Sequence, residues 1–125
     1  MKYLKRFENV EDNSEILSDL EDILSDLKDE YFDIFIRERD FNYIVNKSLI
    51  RINIIQDKVG GLPNEFELSE INEYFERIFS YMKSNDFELR NIDAFDKSKI
   101  VKIPIDINQW DLDTKVLGIN FYFNN

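Results

Sequence analysis

The sequence predicts an α+β fold: a two-layer sandwich made from a duplicated α-β-β unit, with an antiparallel sheet of about five strands and two helices on one face. Three observations carry this. Two stretches place apolar residues at helical spacing, and five stretches alternate as strands do. The first helix–strand stretch also recurs 55 positions later: Ser14, Glu15, Ile16, Leu20, Ile23, Leu24, Leu27, Phe32 and Ile34 become Ser69, Glu70, Ile71, Phe75, Ile78, Phe79, Met82, Phe87 and Leu89.

The elements follow in order. Residues 1–13 are a separate segment, basic and apolar at first (Lys2, Leu4, Lys5, Arg6, Phe7) and then polar. Residues 14–125 form one domain, with repeat one at 14–56 and repeat two at 69–123. The first helix spans 14–30: Ile16, Leu17, Leu20, Ile23, Leu24 and Leu27 share a face, with Ser14 as N-cap and Glu15 suited to the positive helix start. Strands follow at 31–38 and 48–56. Gly60-Gly61 and Pro63 mark the clearest break. The second helix runs near 67–84, with strands at 86–92, 100–105 and 116–123. IVKIPI at 100–105 matches LIRINI at 49–54 and stands as the second copy's second strand. Pro104 belongs on a sheet edge or at a bulge. A fully exposed final strand would pair with its twin in a homodimer.

Two helices with one apolar stripe each must cover a sheet with one apolar face. The simplest product has a pseudo-twofold axis between the copies. Phe32, Ile34, Ile50, Ile52, Phe87, Leu89, Val101 and Ile103 then face the helices.

Composition narrows the chemistry. The chain has 125 residues, no cysteine and no histidine. Disulfides, thiolate catalysis and Cys-bound zinc are excluded, and the side chain best suited to proton transfer near neutral pH is missing. No phosphate loop, dinucleotide fingerprint or nucleophile elbow occurs, so neither enzyme activity nor a cofactor is expected. No apolar run approaches the roughly 20 residues of a membrane span, and no membrane partner is expected. Residues 1–13 turn acidic where a signal peptide needs an apolar stretch. The net charge of −10 opposes nucleic-acid binding. The charge is uneven, with residues 1–8 summing to +2 and residues 9–33 to −9.

Two surfaces qualify as partner sites. Glu15, Asp19, Asp22, Asp26 and Asp29 are spaced four, three, four and three, so they line one face of the first helix. A solvated face is the plain reading. The sharper reading is a mimic of nucleic-acid phosphates, since carboxylates one turn apart lie roughly 5–6 Å from each other. The second surface is the open side of the sheet, where strand parity turns Tyr31, Phe35, Arg37, Arg51, Arg90, Lys102 and Tyr122 outward. This basic–aromatic set suits a protein interface; a wet sheet face with cross-strand ion pairs is the competing reading. Asp106, Asn108, Asp111 and Asp113 lack the glycine and bidentate glutamate of a calcium loop and read as a hairpin connection beside Trp110.

The head, MKYLKRFE, resembles the openings of small accessory and virion-associated proteins of tailed bacteriophages, and EDILSDLKDEYFDIFI at 21–36 resembles their continuation. In some large phages a similar head is a capsid-targeting peptide removed after a glutamate. Lys2, Leu4, Phe7 and Glu8 match that style, and Glu11 would be the cut. The resemblance implies a non-enzymatic protein of the host bacterial cytoplasm or the virion, with residues 1–13 as docking segment and a phage structural protein or a host protein as partner. The alternatives are an acidic inhibitor of a host defence or DNA-binding protein, and a small ligand-binding domain or enzyme using the sheet face.

Overall fold

The computed structural model describes residues 13–42, 47–56, 64–97 and 99–125. Lys2, Leu4 and Phe7 of the expected docking segment, and the expected break at Gly60-Gly61, lie outside the described residues. The fold is α+β, with one five-stranded antiparallel sheet. Helices α1 (Ser14–Ile23) and α2 (Ser25–Lys28) lead into β1 (Phe32–Asn42) and β2 (Lys47–Gln56). A short β3 (Phe66–Glu67) and a 3-10 turn precede α3 (Asn72–Ser84). Then come β4 (Glu88–Asp96), β5 (Lys99–Lys102), a second 3-10 turn, β6 (Lys115–Val116) and β7 (Gly118–Asn124). No helix among the described residues is long and apolar enough to cross a membrane.

The sheet order is β1-β2-β7-β4-β5, and β3 pairs with β6 in a ribbon of its own. This corrects two expectations. The strand beside β2 is β7, and β5 is an added edge strand. β1 flanks β2 on one side of the central β2–β7 pair, and β4 flanks β7 on the other. The match of 100–105 to 49–54 is a local likeness with no counterpart in strand position. β7 also lies third of five with both of its edges paired, so it offers no edge to a second copy.

Phe32 faces Gln56 on β2, and Ile52 faces Phe121 across β2 and β7. Ile36 faces Ile52, and Ile92 faces Phe121. A bulge between Leu89 and Asn91 adds one residue to β4, and a second bulge lies between Asp40 and Asn42 on β1.

The two helix-to-strand junctions close alike. The N–H groups of Glu30 and Tyr31 donate to the carbonyls of Leu27 and Lys28 at 3.0 and 3.3 Å. Those of Asn85 and Asp86 donate to Met82 and Lys83 at 3.0 and 3.1 Å. Tyr31 and Asp86 both take left-handed backbone, with φ of 70° and 66°, which ends the helix and starts the strand. Neither is glycine, so each carries a steric cost. Tyr31→Gly should raise the unfolding free energy by about 0.5–1 kcal/mol, relief outweighing the added chain entropy; urea denaturation measures it.

Asn13, the residue before α1, turns its amide away from the helix. It donates to Ser48 Oγ at 3.3 Å and to the Glu38 carboxylate. Ser48 shares strand parity with buried Ile50, Ile52 and Ile54, and Glu38 stands opposite Ile50. Leu20, Leu24 and Leu27, spaced four and three, are fully buried. The expected continuous helix over 14–30 breaks at Leu24, where ψ is 1°. There the Ser25 hydroxyl bonds the Asp22 carbonyl at 2.9 Å, a side-chain bond that competes with the helix ladder.

α3 meets the sheet through rings. Phe75 stacks on Phe121 with centroids 4.0 Å apart, and Phe79 packs edge-on to Phe75, Phe121 and Trp110. Trp110 is buried, its indole N–H donating to the Pro104 carbonyl at 2.8 Å, so it closes the core margin. Pro104 itself follows edge strand β5. The expected helix start near residue 67 is displaced to Asn72. Phe66 pairs with Val116, and a capping box between Glu67 and Glu70 closes the 3-10 turn first. Asp106 and Asp111 accept the N–H groups of Asn108 and Asp113, the bonds of turn residues.

Candidate functional site

Cross-strand pairing builds the open face in rows, because directly opposed residues point to the same side. One row runs Arg37–Arg51–Tyr122–Asn91 from β1 to β4. On one side of it lies Phe35–Asn53–Asn120–Asp93–Lys102. On the other lies Arg39–Leu49–Asn124–Glu88.

Three arginines thus gather on β1 and β2 in a chain of net charge −10. Arg37 and Arg51 stand opposite each other, an arrangement that costs stability. Among the described residues, no carboxylate lies within ion-pair distance of Arg37, Arg39 or Arg51. Arg51 is steadied by neutral groups instead. Its Nε donates to Asn120 Oδ1 at 3.2 Å, and its guanidinium lies 5.9 Å from the Tyr122 ring centre. Asn53 donates to the same Asn120 oxygen at 2.7 Å. Burial raises the Tyr122 hydroxyl pKa, with the Asp93 charge adding to it and Arg51 opposing.

The acids of β4 are taken up locally. Glu88 pairs with Arg90 at 3.2 Å, and Asp93 accepts from Asn91 at 3.1 Å. Two adjoining concavities mark the basic end. One of about 210 Å³ is lined by Phe35, Arg37, Arg51 and Asn53. The other, of about 330 Å³, is lined by Arg37, Glu38, Arg39, Leu49, Arg51 and Tyr122; Glu38 takes a hydrogen bond from Asn13. The arrangement can receive a planar anion on the guanidinium forks and an apolar or aromatic group on Phe35, Leu49 and Tyr122.

The predicted open-face residues divide. Phe35, Arg37, Arg51 and Tyr122 come together. Arg90, on the β4 bulge, is held by Glu88 and by Asn124 at 2.6 Å. Lys102 stands opposite Asp93 on the far edge strand. Tyr31, 74% exposed, lies just before β1. Arg39 and Leu49 were missed; carrying the alternation of Phe35 and Arg37 two residues further would have found Arg39. The sheet's other side holds a larger cleft of about 630 Å³, lined by Phe79, Phe87, Leu89, Ile105 and Phe123 together with Lys83, Asp86 and Glu88.

The acidic residues lie on α1, on α2 and, for Asp29, in the turn that follows α2. Glu15, Asp22, Asp26 and Asp29 are exposed, while Asp19 is half-buried and accepts the Tyr81 hydroxyl at 2.5 Å, tying α1 to α3. Burial, then this bond and the Asp19 charge, push the Tyr81 pKa up to about 12. Folding thus favours the protonated phenol. The stabilisation is complete below pH 10, the unfolded value, and is lost as pH rises towards 12. Tyr81→Phe should abolish this alkaline loss in pH-dependent denaturation. Tyr74, also raised by burial first, feels Glu30 and Asp26.

Compared with protein families, curated proteins and solved structures, the chain matches none.

Proposed function

We propose that this protein is a non-enzymatic binding module that works through protein–protein contacts, with the open sheet face as its interface. The observation that carries this is the opposed Arg37–Arg51 pair, without a carboxylate partner among the described residues and flanked by Arg39, Phe35 and Tyr122. A like-charged cross-strand pair weakens a sheet by itself, and an anionic group of a partner would repay that cost. Tyr and Arg are the residues that interfaces favour.

The body of the module reads as a duplicated α-β-β unit, with α1–α2 and α3 covering the same sheet face. The junctions 55 residues apart and the flanking of β2 by β1 and of β7 by β4 support that reading. The stretch between β4 and β7 is then an insertion carrying β5. The head resemblance supports a phage accessory or virion-associated role in the host cytoplasm or the virion, with residues 1–13 as the docking or targeting segment.

Affinity capture from phage-infected cells tests the interface. A partner should be retained by the wild-type chain and by Asp22→Lys/Asp26→Lys, and lost with Arg51→Glu or Tyr122→Ala. Loss with the aspartate variant alone would instead favour the second reading, an acidic inhibitor presenting the Glu15–Asp29 stripe. The exposure of four of its five carboxylates supports that alternative.

A further inference from the structure

We infer that two copies of this chain join through their β1 edges, as an antiparallel pair centred on Phe35. This goes beyond the proposed function, because it uses the rim of the sheet and needs no other partner.

Among the described residues β1 is terminal in the sheet, and it is eleven residues long. A long free edge offers a row of backbone donors and acceptors to another strand. Its residues 33–37 read Asp-Ile-Phe-Ile-Arg, which is self-complementary when a second copy runs antiparallel. With Phe35 against the partner's Phe35, Asp33 meets the partner's Arg37, and Arg37 meets the partner's Asp33. On the same side Tyr31 comes beside the partner's Arg39. On the opposite side Ile34 meets the partner's Ile36, twice over.

On the open side, the side chains this pairing uses are ones the single chain leaves exposed or unpaired, while Ile34 and Ile36 also pack against the core. Phe35 is 46% exposed and Tyr31 74%. Among the described residues, Asp33, Arg37 and Arg39 make no side-chain hydrogen bond or ion pair. The partner's Asp33 would also relieve the repulsion between Arg37 and Arg51 in the same row. The result is one continuous ten-stranded sheet. The interface is small, so association is weak and concentration-dependent.

Sedimentation velocity over a concentration series tests this with the full chain. The wild type should dimerise. Asp33→Arg sets arginine against arginine, and Arg37→Asp sets aspartate against aspartate. Each should raise the dissociation constant at least about tenfold. Because the twofold swaps the two positions, the double variant Asp33→Arg/Arg37→Asp should recover wild-type association. An equimolar mixture of the two single variants should form heterodimers. Circular dichroism checks that each variant keeps the native fold. A wild type that stays monomeric up to about 1 mM overturns the inference. So does a dimer indifferent to Arg37→Asp, or one that neither the double variant nor the mixture restores.

Discussion

Phe121→Ala should lower the free energy of unfolding by about 4 kcal/mol, the largest loss of any single truncation. Phe121 is fully buried on β7 at the position facing Ile52, where the two halves of the sheet meet. Phe75 stacks on it at 4.0 Å, and Phe79 and Trp110 lie 5.9 and 6.1 Å away. Removing the ring opens a void walled by three other rings, and rings collapse poorly into such a space. Domains of this size hold about 5–15 kcal/mol in all, so the variant would sit near its limit of stability. Urea denaturation with matched m-values reads the effect. A loss under about 1 kcal/mol would mean that α3 does not pack on β7.

Arg51→Glu should change stability and binding in opposite directions. Arg51 faces Arg37, so a glutamate there turns a repulsive cross-strand pair into an attractive one. The fold should gain up to about 0.5 kcal/mol, the relieved repulsion being offset in part by the lost Asn120 bond and Tyr122 contact. Affinity for the captured partner should fall about a hundredfold, because an anionic group would meet a carboxylate where it needs a guanidinium. A natural sequence that keeps a destabilising pair at the centre of a surface is evidence of a demand other than folding. If Arg51→Glu lowers stability and leaves binding unchanged, Arg51 is a structural residue and the proposed interface fails.

The local grammar of the chain was legible. Leu20, Leu24 and Leu27 announce a buried helical stripe, and Ile50, Ile52 and Ile54 a buried strand face; all six are buried. The outward set Phe35, Arg37, Arg51 and Tyr122 followed from strand parity alone. What failed were long-range choices. Nothing local in VLGINFYF or IVKIPI tells which one lies beside β2, because that is settled by which strand sets its large side chains under α3. Phe121 and Phe123 do so, while Ile100 on the edge strand is exposed. The break at Leu24 rests on one serine hydroxyl. The late start of α3 rests on Phe66 pairing with Val116, a contact 50 residues away in sequence. The isolation of the three arginines required the sheet order, since only that shows Glu88 and Asp93 consumed on β4.

Amide hydrogen exchange of the captured complex against the free chain locates the interface without any mutation. Slowed exchange should concentrate in residues 35–39, 49–53 and 120–122 of the open face, with residues 15–29 unchanged. Protection confined to residues 15–29, with β1, β2 and β7 exchanging as in the free chain, would contradict the assignment of the interface to the sheet.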